Sequence, residues 1–228
     1  MKNLIIVFAV LCSFAISYTA KAQFHIGVRG GLNMANMSVK NIPVATDNKS
    51  IPSFHIGGFA EFDLTKKIGI ETGLYLSGKG INSEFNQSLG FITVSGSAKI
   101  TPLYVEIPVN GVYNFDFKLI KLRFFAGPYA AYGIGGKVNS DFSVSGLPID
   151  LSSLGLQNES RNLVFGSDTT SDIRPFDFGV NVGVGAQFKK FDFSIQYGLG
   201  LMNVAADNTT GYESRNRVVR FTVGYRIF

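Results

Sequence analysis

The chain has 228 residues, a formal net charge of +5 and only 16% charged residues, together with 26 glycines and 21 phenylalanines. So mild a charge, without a stripe of basic residues, excludes nucleic acid as an expected partner. The low charge and the high content of glycine and aromatic residues favour membrane-spanning strands over a soluble domain.

Residues 1–22 have the features of a secretory signal peptide. A short basic start is followed by an almost unbroken apolar run, and Ala20 and Ala22 occupy the small-residue positions that signal peptidase reads. The sequence therefore predicts cleavage before Gln23. The only cysteine lies inside the apolar run, so we expect no disulfide in the mature chain. We divide the chain into a signal peptide, 1–22, and one mature domain, 23–228.

Alternation of apolar and polar residues is the main signal in the mature chain. Over 176–188 every even-numbered residue is apolar, and every odd-numbered residue is a glycine, a carboxylate or an amide. A long strand with one fully apolar face is typical of a tilted transmembrane strand. We therefore expect an all-β fold, an eight-stranded antiparallel up-and-down transmembrane β-barrel. The predicted strands are 24–34, 54–64, 68–77, 103–115, 121–135, 176–188, 191–201 and 217–228.

The connections between the predicted strands alternate in length. Short links cover 65–67, 116–120 and 189–190, whereas long polar links cover 35–53, 78–102, 136–175 and 202–216. Short periplasmic turns and long outer loops are typical of outer-membrane barrels with both termini inside the cell. The link 136–175 is too long to be a mere connection, so we expect it to extend the strands or to form a cap. We also expect any protein partner to bind there.

Several short blocks of the mature chain resemble, in the right order, those of the PorT-like outer-membrane β-barrel proteins. The first is Phe-His-Ile-Gly-Val-Arg-Gly-Gly-Leu-Asn at 24–33, and the later ones lie at 104–108, 127–129, 177–179, 197–201 and 224–225. The resemblance implies an outer-membrane barrel and, for some members, a part in secretion machinery. One position departs from the pattern. Arg226 stands where a lipid-facing aromatic residue is usual, so Phe228 either leaves the strand or gives weaker recognition by assembly factors.

The charged residues of the polar face form the most informative set. Because an eight-stranded lumen is too narrow to hydrate them all, we expect them to pair into an ionic plug. Glu71 and Glu106 are expected to reach arginines on the first and last strands. The predicted lumen charge network comprises Arg29, Glu61, Glu71, Glu106, Arg123, Asp177 and Arg220, and Asp192 and Arg226 share its parity.

Aromatic residues of the apolar face lie close to the short turns and the C-terminus. Such rings form belts at the membrane interfaces of barrels. The predicted periplasmic belt comprises Phe62, Tyr113, Phe115, Phe124, Phe188, Phe191 and Tyr225.

The two histidines, His25 and His55, begin near-identical segments. Strand direction is expected to place them at opposite rims, and few other ligands converge, so we predict neither a metal site nor a cofactor. A serine–histidine–carboxylate hydrolase would have to use His55, and the spacing of the loop residues does not support one. We therefore predict no enzyme. The leading hypothesis is a structural or interaction protein of the outer membrane, in contact with its lipid and attached, in one version, to secretion machinery. A lipid-modifying enzyme and a narrow channel are the alternatives.

Overall fold

The computed structural model describes residues 23–41, 47–89, 92–145, 158–168, 170–206 and 211–228. The predicted signal peptide lies outside these residues, and its cleavage stays a prediction. In the described part of the chain, no helix is long and apolar enough to cross a membrane. The described residues form eleven strands: β1 Gln23–Lys40, β2 Asp47–Lys49, β3 Ile51–Asp63, β4 Ile68–Gly78, β5 Ile81–Leu89, β6 Ile92–Asp116, β7 Lys121–Ser145, β8 Glu159–Asn162, β9 Phe176–Phe188, β10 Phe191–Gly200 and β11 Glu213–Arg226.

Eight of these strands close into a barrel. Going round the ring, β1, β3, β4, β6, β7, β9, β10 and β11 pair as antiparallel neighbours, and β11 pairs again with β1. Closure leaves the ring without a free edge, so every strand finds main-chain hydrogen-bond partners on both sides, as a lipid environment demands. The predicted fold class is confirmed.

Three short turns join the strands at one end of the barrel. The links 64–67 and 117–120 are closed by main-chain hydrogen bonds, such as the 2.9 Å bond from the Phe117 amide to the Ile120 carbonyl. In the two-residue link, Lys189 adopts a positive φ of 54°, as tight hairpin turns require. Following the rule for outer-membrane barrels, we call this the periplasmic end and the opposite one the outer end.

The two faces of each strand differ as the sequence predicts. In β9 the odd-numbered Asp177 is fully buried inside the barrel, whereas the even-numbered Val182 is 57% exposed on the outside. The lumen is crowded. A Cβ atom added to Gly31 would lie 1.9 Å from the Phe221 carbonyl oxygen, and one added to Gly127 would lie 1.9 Å from that of Val109. At these positions a side chain would collide with the main chain of the neighbouring strand, and a Cβ atom added to Gly183 would lie 2.4 Å from the Phe125 ring, so glycine is needed there.

All seven rings of the predicted belt lie on the outside of the barrel and near its periplasmic end. Each ring is partly exposed, and several contact each other: the centroids of Phe115 and Phe124 are 5.8 Å apart, and those of Phe191 and Tyr225 are 5.3 Å apart. The rings therefore have the orientation that an interfacial belt requires. Their contact with lipid stays a prediction.

Described residues of the links 35–53 and 78–102 are largely strand, and parts of 136–175 and 202–216 are strand too, which corrects the predicted strand bounds. β1 continues to Lys40, β6 begins at Ile92 and β7 reaches Ser145, while β2, β5 and β8 add further strands. A five-stranded sheet, which we call the outer sheet, is formed by β2, β5, the outer half of β6, the outer half of β7 and β8. Beyond the membrane the alternation continues along β1, β6 and β7 with the two faces exchanged, so that apolar residues such as Met37 and Val138 are now the buried ones.

The last strand ends before the C-terminus. Arg226 is the final residue of β11 and points into the lumen, whereas Phe228 is 77% exposed beyond the strand. Its amide and that of Ile227 still point to the Ile26 carbonyl. Of the two alternatives for this departure from the family pattern, the structure shows that the last residue leaves the strand.

Candidate functional site

The lumen charges form two clusters, one above the other. The periplasmic cluster comprises Arg29, Glu61, Glu71, Arg123, Asp192 and Arg226, and the outer cluster comprises Lys79, Glu106, Asp177 and Arg220. All ten residues are buried.

Arg29 is the centre of the periplasmic cluster. Its two terminal nitrogens, Nη1 and Nη2, donate to the two carboxylate oxygens of Glu71 at 2.6 and 2.8 Å. Nη2 also donates to Asp192 at 2.8 Å, and the guanidinium lies 3.8 Å from the centre of the Phe59 ring. A planar guanidinium suits this arrangement, because it can bind two carboxylates and stack on a ring at once.

Two further arginines complete the periplasmic cluster. Nη2 of Arg123 donates to Glu61 at 2.9 Å and to Glu71 at 2.7 Å, and Arg226 also donates to Glu61. The strands that carry these groups lie on different sides of the ring. The cluster therefore ties the barrel walls together across the lumen.

The outer cluster contains the ion pair that joins the most widely separated strands. Arg220 on β11 donates to both oxygens of Glu106 on β6, at 2.6 and 2.7 Å, and four strand pairings separate these strands in either direction round the ring. Lys79 lies between the carboxylates, with its Nζ atom 2.9 Å from Glu106 and 2.8 Å from Asp177. The Lys79 ammonium also lies 4.3 Å from the centre of the Tyr129 ring, a cation–π distance.

Lys79 is the functional residue that sequence reasoning missed. It follows β4 directly, and the sequence pattern places it in the long polar link 78–102. The signal was present, because Lys79 has the same odd parity as the inward-facing Glu71, Tyr75 and Ser77 of that strand. Extending the alternation by two residues would have placed it in the lumen.

The buried charges balance. Among the described residues, the buried ionisable side chains are five cations and five carboxylates, with His55 in addition. Each cluster is separately neutral, with three cations and three carboxylates below and two of each above. Burial of charge is costly unless opposite charges meet, so this equality is what a sealed lumen requires.

Little room is left between the clusters. A cavity of about 20 Å³ is lined by side chains that include Arg29, His55, Glu71, Arg220 and Thr222. That volume accommodates roughly one water molecule.

The two histidines do not come together. As predicted, His25 lies near the periplasmic end. Its Nε2 atom is 3.3 Å from the Asp63 carboxylate. His55 is buried in the lumen instead of lying at the opposite rim, because β3 begins at Ile51, further out than predicted. Their positions in the register differ by six residues, or roughly 20 Å along the strand.

The hydrogen bonds of His55 resemble those of a catalytic base with a hydroxyl nucleophile. Its Nδ1 atom is 2.7 Å from the Asn33 amide oxygen, and its Nε2 atom is 3.0 Å from the Thr222 hydroxyl. The adjoining cavity is too small for a lipid or any other ester. These contacts position the ring within the lumen and offer a substrate no access.

A cap closes the outer end of the lumen, as one of the two alternatives for 136–175 expects. Leu163 and Ile173 pack with Tyr104 and Tyr129 in an apolar cluster, and the edge of the Phe165 ring contacts Tyr104 at 6.0 Å between centroids. The cap is joined to the barrel by main-chain hydrogen bonds, including one from the Leu163 amide to β7. The ionic clusters therefore lie beneath an apolar layer.

One ion pair holds the two arms of the cap together. Both terminal nitrogens of Arg161 donate to Asp172, at 2.7 and 2.6 Å, and the Val164 amide donates to the same carboxylate at 2.8 Å. Hydrogen bonds from Arg161 are the main reason that the pKa of the Asp172 carboxyl is lowered from its ordinary value. The carboxylate is therefore charged, and bound within the cap, at neutral pH.

The closed ring, the lipid-facing apolar surface and the polar lumen define a class, the small transmembrane β-barrels. The family model described as "outer membrane protein beta-barrel domain" matches residues 17–206. The chain belongs to this family, and its place is the outer membrane. No curated protein sequence matches the chain significantly.

Solved outer-membrane barrels are similar to this chain at low sequence identity. The attachment invasion locus protein Ail of Yersinia pestis is 14% identical with a TM-score of 0.40, and the match covers 90% of this chain and 99% of Ail. Neisserial surface protein A is 12% identical with a TM-score of 0.44 and the same coverage. The N-terminal barrel domain of Pseudomonas aeruginosa OprF is 9% identical with a TM-score of 0.30, covering 90% of this chain and 100% of that domain.

Proposed function

We propose that this protein is a closed outer-membrane barrel that binds a partner at its outer end and acts neither as a pore nor as an enzyme. One observation carries the proposal: two neutral clusters of buried ion pairs and an apolar cap fill the lumen. A pore would need a connected water column, and ten paired charges leave no such column. Among the described residues, the outer sheet and the cap are the surface beyond the membrane that would meet a partner.

Conductance across a planar lipid bilayer tests the closed lumen. The purified full-length mature barrel should give no current steps above those of the bilayer alone. Regular current steps from the wild-type protein would contradict a closed lumen and favour the narrow channel. A lipid-deacylation assay, with His55→Ala as the control, tests the enzyme alternative. Activity that His55→Ala abolishes would overturn the non-catalytic assignment.

The direction of insertion and the processing of the N-terminus belong to the same proposal. Ala20 and Ala22 occupy the positions that signal peptidase reads, which predicts that the mature chain starts at Gln23. The intact mass of protein taken from outer membranes should therefore correspond to residues 23–228. A mass that retains Met1 would contradict cleavage.

Attachment to secretion machinery is the part of the proposal that rests on the PorT-like blocks alone. The region 136–175, through β8 and the cap, is the surface that such a partner would contact. Co-purification from native membranes tests this link. Recovery of secretion components with the wild-type barrel, and their loss when Arg161→Ala loosens the cap, would support it. Recovery of the barrel alone would count against it.

A further inference from the structure

Above the cap, the outer end of the barrel contains an open cavity of about 370 Å³, which we call the outer cup. Its walls come from separate parts of the chain: Met37 and Val39 on β1, Ile81 on β5 and Ile100 on β6. Ile173 of the cap contributes a further apolar side chain. The cup thus lies inside the ring of strands and above the layer that seals the lumen.

The lining of the outer cup is apolar although the cup opens to the aqueous side. Met37, Ile81 and Ile173 are 4%, 3% and 4% exposed, so they are packed within the walls. The apolar surface that a ligand would meet comes from the partly exposed Val39, Ile100 and Ala205. Water in such a cavity is displaced favourably by an apolar group of matching size. Cavities of roughly 300–1,000 Å³ with apolar walls and few polar groups are the usual form of small-molecule sites.

The polar groups of the outer cup carry hydroxyls and no free charge. The Ser83 hydroxyl donates to Asn48 at 2.8 Å and the Ser171 hydroxyl donates to Asp168 at 3.0 Å, so both oxygens can accept a further hydrogen bond. The one carboxylate in the lining, Asp172, is bound by Arg161. A ligand that matches this lining is uncharged.

The outer cup has no exit through the barrel. The apolar cluster around Ile173 and Tyr104 lies directly beneath it, and the outer ionic cluster lies below that. A ligand that enters from outside would therefore stay bound instead of passing inward. This step rests on the proposed function, in which the lumen is closed.

We propose that the outer cup binds a small, neutral amphiphile from the external medium. Its alkyl or ring body is buried against Val39, Ile100 and Ala205, and its hydroxyl end donates to the hydroxyl oxygens of Ser83 or Ser171 at the rim. The site is one of capture and recognition, and no bond is made or broken in it.

Photoaffinity labelling of the full barrel in lipid nanodiscs tests the site. The probe is a medium-chain alkanol that carries a diazirine, and peptide mass spectrometry locates the labelled residues. We expect labelling of the segments that contain Met37, Ile81 or Ile173, and we expect excess unlabelled alkanol to remove it. Labelling of lipid-facing residues such as Phe193 reports probe dissolved in the bilayer, and it should not saturate.

Two tryptophan variants of β1 give a matched comparison. Val39→Trp places a large ring in the outer cup and should weaken saturable labelling at least about tenfold, equivalent to about 1.4 kcal/mol. Leu32→Trp makes a similar change on the lipid face of the same strand and should leave labelling unchanged. Ala205→Phe, which fills the cup from another segment, replaces Val39→Trp if that variant fails to fold.

The outcomes separate this site from the closed lumen. Labelling that cannot be competed away, or that Val39→Trp does not weaken, would overturn the outer cup as a ligand site. Saturable cup labelling in a protein that also conducts ions would overturn the closed lumen and leave the cup in place. Saturable labelling confined to lipid-facing residues would also count against the cup.

Discussion

The ion pair between Arg220 and Glu106 gives the sharpest test of the lumen network. Glu106 is fully buried, and its carboxylate binds both Arg220 and Lys79. The variant Glu106→Ala would leave these two cations facing one carboxylate, that of Asp177. The outer cluster would change from neutral to a net charge of +1 within a buried space. We expect the variant to destabilise the barrel for this reason.

The magnitude follows from the burial of the pair. Removing one member of a buried ion pair costs about 3–5 kcal/mol, mostly because the other member is left unpaired. The loss of Glu106 removes a carboxylate from both Arg220 and Lys79, so we expect a cost in the upper part of that range. With a urea dependence of about 2 kcal/mol per molar, the unfolding midpoint should fall by roughly 2 M.

Unfolding is best followed by far-ultraviolet circular dichroism in lipid bilayers, because the chain contains no tryptophan. Glu159→Ala in the fully exposed part of β8 is the control and should leave the midpoint unchanged. Glu106→Gln combined with Arg220→Gln restores neutrality and should recover part of the loss, with a coupling of about 0.5–3 kcal/mol. Arg29→Gln should give no such recovery, because Arg29 binds Glu71 and Asp192. An unchanged midpoint in Glu106→Ala, together with higher conductance, would refute the plug and favour the channel.

Three further predictions concern the belt, the cap and the orientation. Phe124→Trp introduces a single tryptophan, and lipids brominated near the headgroup should quench its fluorescence best. For Val182→Trp, lipids brominated deep in the acyl chain should quench the fluorescence best. Equal quenching profiles for the two variants would contradict the belt. Asp172→Asn should lower the thermal midpoint at neutral pH by the equivalent of less than about 1 kcal/mol, since Arg161 is partly exposed. Because the pKa of Asp172 is lowered in the folded state, its contribution is lost as the pH falls through that lowered pKa, and variant and wild type should then unfold alike. An epitope inserted near Ser152, which lies outside the described residues, should be labelled by antibody on intact cells, and labelling only after lysis would reverse the topology.

The eight barrel strands could be predicted from sequence because two environments differ sharply across the wall. Lipid on one side and a filled lumen on the other give each strand a strict period of two, and β9 has the bounds that this period predicts. The same parity places each residue of the predicted charge network inside the barrel. Sequence alone thus determines which way a side chain points in the membrane-spanning part.

Pairing inside the lumen is harder to predict than direction. Parity indicates that Glu106 and Arg220 both point inward, but only the closed register brings these two side chains, from strands on opposite sides of the ring, within 2.6 Å of each other. Lys79 shows the same limit. Its parity was correct, yet its role as the cation shared by Glu106 and Asp177 depends on how far β4 continues beyond the membrane.

Side chains at the outer end of the barrel meet different requirements from those within the membrane, and this difference bears on function. Within the membrane, nearly every position must serve either lipid contact or lumen packing, which leaves little freedom for recognition. Beyond it, the alternation along β1 and β7 is inverted, so that apolar residues such as Met37 and Val138 are buried inside the outer end. Packing of the cap and the outer sheet accounts for these buried side chains. Partly exposed apolar residues around the open cavity, such as Val39 and Ala205, are needed neither for insertion nor for this packing, and a search for function should therefore begin at the outer cup.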